Sequence, residues 1–136
     1  MTHAATLLQR RLVAAFAADS TLEALLGPDR VFDAPPKGIK PPYVSIVRHD
    51  IRPIGGDEAT LNEHRLTLQA RVPDAARAAA LDIADRLEAI ALGGGLSGEG
   101  LTIATARHER TETLIDLKTG EAVATLVLRI VTEPTL

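Results

Sequence analysis

Four histidines, His3, His49, His64 and His108, are the side chains best suited to proton transfer or metal ligation near neutral pH. No two of them make an H-x-x-H or H-E-x-x-H spacing, so the chain offers no local metal geometry and no metal is expected. Two of them adjoin a carboxylate, as Glu63-His64 and His108-Glu109. Neighbours on a strand point to opposite faces, so neither pair is preassembled as an acid–imidazole couple. His64 shares its parity with Leu66 and Leu68, which predicts a hydrogen-bonded histidine at the rim of a core, not a general base. The threonines between Thr102 and Thr132 suit strand propensity and need no nucleophile reading. Neither a G-x-S-x-G elbow nor a G-x-G-x-x-G fingerprint occurs. The run G-G-G-L-S-G-E-G at residues 93–100 lacks the Lys-Ser/Thr of a phosphate loop and follows a helical pattern, so it reads as a helix stop. Cysteine is absent, which removes disulfides and thiolate chemistry. No catalytic residue, cofactor or metal is assigned, and the chain reads as not an enzyme.

These side chains sit on elements organised around residues 60–92. From 62 to 72 the pattern alternates: Leu66, Leu68, Ala70 and Val72 fall on one side, Glu63, Arg65, Thr67, Gln69 and Arg71 on the other. That is a strand with one buried face. Pro73 ends it, Asp74 is the expected N-cap, and a helical period follows through Ala80, Leu81, Ala84, Leu87 and Ile90 to the triple glycine. An N-terminal helix over residues 2–18 carries the stripe Leu7, Leu8, Leu12, Val13 and Phe16, and a short helical turn follows at 22–26, capped by Ser20 or Thr21. Strands are expected at 30–33, 43–49, 101–108 and 122–133, with Pro35, Pro36, Pro41 and Pro42 stiffening the entry to the second. Val44, Ile46 and Arg48 are expected on one face of that second strand. The fold class is α+β, an antiparallel or mixed sheet of four to five strands with two main helices packed on one face.

A chain of 136 residues fits one domain, taken as 1–136. Hydrophobic residues are 46% and aromatics 2%, so the core must be aliphatic and large aromatic anchors are nearly absent. A net charge of −3 argues against sequence-independent DNA binding. The N-terminus lacks signal-peptide order and no apolar run approaches the roughly 20 residues that span a bilayer, so a soluble intracellular protein without membrane contact is expected.

The segment 122–132 is apolar on both faces apart from Arg129: Leu126, Leu128 and Ile130 mark one, Val123, Val127 and Val131 the other. With helices on one side of the sheet, the valine row needs its own cover, which predicts self-association through Val123, Val127 and Val131. Residues 50–59 and 109–118 read as polar segments longer than strand closure needs. Arg48, Arg52, Arg107 and Arg110 lie in or beside them, and from the residues alone each reads as a solvated surface arginine.

The order of several motifs carries a resemblance. Leu22-Glu23-Ala24-Leu25-Leu26-Gly27 follows an amphipathic helix, then come V-F-D-A-P at 31–35, P-P-Y-V-S-I at 41–46, E-H-R-L-T-L at 63–68 before an alanine-rich helix, and T-L-V-L-R-I at 125–130. From about residue 7 to 132 this resembles the tail-terminator, or tail-completion, proteins of long-tailed phages and gene transfer agents. The segment 109–118 and the triple glycine depart from that pattern. The resemblance implies a structural virion protein: a ring, usually of six subunits, that caps the head-proximal end of the tail tube, stops its polymerisation and joins the tail to the head connector. It implies as partners further copies of the chain, the major tail tube protein and a connector or head-closure protein, with DNA passing through the hole without sequence-specific binding. On that reading the segments 50–59 and 109–118 are candidates for gripping tube or connector, and Arg48, Arg52, Arg107 and Arg110 for charge pairs across those contacts or for facing the channel. Assembly in the bacterial cytoplasm and residence in a phage or phage-like particle are implied likewise. The rivals are another neck component, such as a head-closure or adaptor protein, and a small ligand-binding domain or enzyme.

Overall fold

A computed structural model describes residues 3–55 and 60–134. Three helices, α1 (Ala4–Ala17), α2 (Ser20–Leu26) and α3 (Arg77–Leu92), accompany five strands: β1 (Val31–Phe32), β2 (Tyr43–Ile54), β3 (Leu61–Val72), β4 (Leu101–Ile115) and β5 (Ala122–Pro134). The sheet runs in the order β1-β2-β3-β5-β4. β1 pairs parallel with β2 and every other pair is antiparallel. The expected α+β class, with helices layered on one sheet face, is thus observed, and the sheet is mixed.

Each helix forms for a local reason. In α1, Leu8, Leu12 and Phe16 recur at four-residue steps and all three are buried. Its first turn is capped by His3, whose Nδ1 accepts from the Ala5 N–H at 3.0 Å. α2 is capped by Asp19, not by the expected Ser20 or Thr21; the Asp19 carboxylate accepts from the Leu22 N–H at 2.8 Å. The same carboxylate takes two bonds from the Arg86 guanidinium, at 2.8 and 2.6 Å, which clamps α2 to α3. The Arg86 bond and then the Leu22 bond hold the Asp19 pKa down at about 2.

α3 starts later than expected, and Asp74 does not cap it. Asp74 and Ala75 lie in the left-handed region, at φ 63° and 52°, and form a tight turn between β3 and the helix. The Ala75 N–H donates to the Gly120 carbonyl at 2.8 Å and the Ala76 N–H to that of Pro73 at 3.3 Å. α3 then begins at Arg77 without a side-chain cap and buries Ala80, Ile83, Ala84, Leu87 and Ala91. The loop after it does more than stop the helix. Arg11 on α1 donates to the carbonyls of Leu96 and Ser97, at 3.1 and 3.2 Å. Gly98 lies at φ 138°, where an L side chain is strained, and a Cβ there would stand 3.1 Å from the end of the flexible Arg11 side chain.

The core lies between the helices and one face of the sheet. β3 contributes Leu66, Leu68, Ala70 and Val72, and β5 contributes Ala122, Ala124, Leu126, Leu128 and Ile130. Burying a leucine of this kind is worth about 1.5–3 kcal/mol. The opposite, open face carries the alternate residues, Glu63 to Arg71 on β3 and Val123 to Val131 on β5.

Candidate functional site

The helix-side face holds a chain of polar groups that crosses four elements. β2 has a bulge at Val47, so its alternation inverts there. Arg48 and Asp50 turn to the open face, against the expected orientation of Arg48, and His49 turns inward towards His64. Gln9 Nε2 on α1 lies 2.9 Å from His49 Nδ1, His49 Nε2 lies 2.8 Å from His64 Nδ1, and His64 Nε2 lies 2.9 Å from Thr132 Oγ1. One proton arrangement satisfies the whole chain: the Gln9 amide donates to His49, His49 donates to His64 and His64 donates to the Thr132 hydroxyl. Both rings are then neutral. Burial, and next the neighbouring His49, push the His64 pKa down to about 4. Burial also lowers that of His49, against the pull of Asp50. His64 is fully buried and held at both nitrogens, which is the expected hydrogen-bonded histidine moved from the rim to the interior. Its chemistry is to tie α1, β2, β3 and β5 together.

The open face is a lattice of ion pairs. Glu63 receives Arg52 at 3.1 Å and lies 3.8 Å from Arg129. Glu109 receives Arg65 at 2.9 Å and lies 3.8 Å from the other end of Arg129. Arg71 bridges Asp116 at 3.3 Å and Glu121 at 3.0 Å. A cavity of about 210 Å³ lined by Asp50, Ile51, Arg52, Glu63, Arg65 and Arg129 sits in this lattice. Arg52, Arg65 and Arg129 share the two carboxylates Glu63 and Glu109 there, and the Arg129 Nε is buried without a hydrogen-bond partner among the described residues.

The valine row lies beneath these long side chains. Val123 and Val127 are 1% and 3% exposed in a lone protomer, and Val131 is half-buried. Val123 lies between its register partners Arg71 and Leu114, Val127 between Thr67 and Arg110. Side chains of that length lay their stems over neighbouring hydrocarbon. The drive to self-association read from this row is therefore absent at Val123 and Val127: their hydrocarbon is sheltered without a second subunit.

The four candidate arginines are all exposed, and three of them are engaged. Arg48 pairs with Asp50 at 2.8 Å, Arg52 with Glu63, and Arg110 with Glu112 at 3.6 Å. Arg107 has no ion pair among the described residues. The segments that carry them are not loops. β2 continues through Ile54, and residues 56–59 of the supposed 50–59 loop lie outside the described residues. β4 continues through Ile115, so 109–118 is mostly strand. Bulges at Ala104 and Glu109 break its alternation, which is why the pattern looks mixed. Those bulges and the charges on Arg107, Glu109, Arg110 and Glu112 blunt this outer edge against strand addition.

A feature that the reading of the residues missed lies at one end of the sheet. Leu117, in the β4–β5 turn, is 94% exposed, and Leu114 beside it is 49% exposed. Across that end, Leu25, Pro42, Val72, Pro73, Asp74, Ala76, Ala79, Asp82 and Ile83 line a groove of about 330 Å³. Lys-Thr-Gly-Glu at 118–121 is turn-forming, but the exposure of the leucine before it depends on how the hairpin projects.

Among the described residues no cluster of His, Asp or Glu could hold a metal ion, and no helix is long and apolar enough to cross a membrane. The described residues thus form an α+β scaffold with ion pairs across the open face of its sheet and two exposed leucines, Leu114 and Leu117, towards the β4–β5 turn. The chain belongs to the family described as Tail completion protein gp17, which matches residues 10–133. It is accordingly a structural protein of the phage-tail type. Its fold is similar to that of a chain in the "Virion of native gene transfer agent (GTA) particle", with a TM-score of 0.85 and 23% identity over 98% of this chain and 99% of that one. No curated protein matches it.

Proposed function

We propose that this chain is a tail terminator: it assembles as a ring of about six copies on the head-proximal end of the tail tube, stops the tube growing and presents a surface to the head connector or head-closure protein. The observation that carries this reading is the family match over residues 10–133. The full-length likeness to a chain of a gene transfer agent virion supports the same architecture. The ring is built in the cytoplasm of the producing cell and ends in the neck of a phage or phage-like particle, with DNA passing through its hole. It does no chemistry and needs no cofactor.

A ring stops polymerisation when one of its faces copies the docking edge of the tube subunit and the other does not offer the next site. Contacts around such a ring are heterologous and close by rotation. Arg107, exposed on the open face without an ion pair among the described residues, is the first candidate for contact with tube or connector. Arg48, Arg52 and Arg110 join it if their partners Asp50, Glu63 and Glu112 exchange them on assembly. Of the valine row, Val131 alone keeps enough exposure to meet another subunit.

The test is to add the purified protein to polymerising tail tube subunits and image the products. Tubes bearing a ring at one end and halted in length are expected. Tubes of undiminished length with bare ends would overturn the reading, and binding to the connector but not to tubes would place the chain elsewhere in the neck.

A further inference from the structure

The end of the molecule where the β4–β5 turn meets the β3–α3 turn carries two complementary features. One is a projecting tip: Leu117, almost wholly exposed, followed by Lys118, exposed and with no ion pair among the described residues. The other is the groove of about 330 Å³, whose wall is apolar through Leu25, Pro42, Val72, Ala76, Ala79 and Ile83. Two exposed carboxylates, Asp74 and Asp82, stand in its lining, and neither has an ion pair among the described residues. Asp74 is held there by a left-handed turn that a non-glycine residue rarely adopts.

We propose that the β4–β5 tip of one copy docks into this groove on the next copy, with Leu117 entering the apolar trough and the Lys118 ammonium set against Asp74 and Asp82. The occupant follows from the chemistry of the groove, an aliphatic residue beside a cation, which is what the tip presents. Pro42 leads into β2, whereas the tip joins β5 to β4, the far edge of the sheet. β2 and β4 are three strand spacings apart, about 14 Å, so the Pro42 side of the groove is far from the tip, whereas its Asp74 rim adjoins the tip through the Ala75 N–H bond to the Gly120 carbonyl. A protomer that fills its neighbour's groove leaves its own groove free for the next copy. A series of such contacts is head-to-tail, the kind that closes into a ring. The proposal rests on the ring reading above and specifies the joint that builds it.

The cysteine-free chain allows a direct test. Leu117→Cys and Ala79→Cys both replace exposed residues and leave the core intact. Chains carrying L117C are mixed with chains carrying A79C at high concentration, oxidised mildly, and separated without reductant. The 117–79 crosslink is expected to exceed the 117–117 and 79–79 products at least tenfold. The double variant should give a ladder that ends at the number of copies in the ring. Lys118→Glu should lower the 117–79 yield several-fold, and Asp74→Lys with Asp82→Lys should restore it. A statistical mixture of products, reciprocal dimers alone, or no crosslink would overturn the proposal. Electron microscopy of the same samples separates the two ideas: rings without 117–79 crosslinks reject this joint and keep the ring, whereas a 117–79 ladder of open filaments keeps the joint and rejects the ring.

Discussion

The two faces of β5 differ in how they bury the same kind of residue. On the helix side, Leu126, Leu128 and Ile130 belong to the continuous core built with α1 and α3. On the open side, Val123 and Val127 are equally inaccessible, yet they lie outside that core cluster, beneath charged side chains of the flanking strands. A strand that is apolar on both faces therefore does not by itself demand a second layer or a second subunit. A central position between two strands rich in arginine and glutamate gives enough cover.

This contrast makes stability predictions of graded size. Leu128→Ala removes a fully buried leucine from the packed face and should cost about 2–5 kcal/mol in urea unfolding. Val127→Ala, on the other face, should cost about 1.6 kcal/mol, the transfer value of two methylene equivalents, because the covering side chains can settle over the gap. Equal losses at the two positions would break the distinction.

Acid should act first through the helix side. His64 and His49 have folded pKa values below the ordinary 6.5, so the folded state favours their neutral forms while the unfolded chain takes up protons at that value. Their contribution is complete above about pH 6.5 and is lost as the pH falls towards 4. His64→Gln keeps a hydrogen-bonding side chain without the titration. Its unfolding midpoint should fall less between pH 6.5 and 4 than that of the parent chain, and an unchanged pH slope would remove the imidazole chain from the account.

Smaller effects belong to the open face. Arg71→Gln removes the pairs with Asp116 and Glu121 and should cost only about 0–1 kcal/mol, with the difference shrinking as salt is added. Arg107→Glu should change stability by no more than about 0.5 kcal/mol. The same substitution should weaken capping of tail tubes in a sedimentation assay if this arginine meets a partner.

What could be read in the residues follows the same division. β3 was legible because one face is buried and one is not, so its alternation is unbroken. β2 and β4 were cut short because bulges at Val47, Ala104 and Glu109 shift the period, and a bulge shows only against its partner strand. The His49–His64 contact depends on the first of those bulges, so residue spacing alone placed His64 but could not pair it. Asp74 has the right type and place for a helix cap, and the left-handed turn that disqualifies it is stabilised by Gly120, far along the chain. The valine row was correctly located on the open face, but its shelter comes from Arg and Glu side chains on other strands. The family was legible because it rests on the order of packing motifs, which survives errors in individual strand ends.

The central claim is that this chain terminates tails. Its most direct test is electron microscopy of particles made by cells that lack the gene, against cells supplied with it in trans. The account predicts tail tubes of uncontrolled length, unattached to filled heads, with both defects repaired by the supplied copy. Tails of normal length joined to heads in the absence of the protein would contradict it.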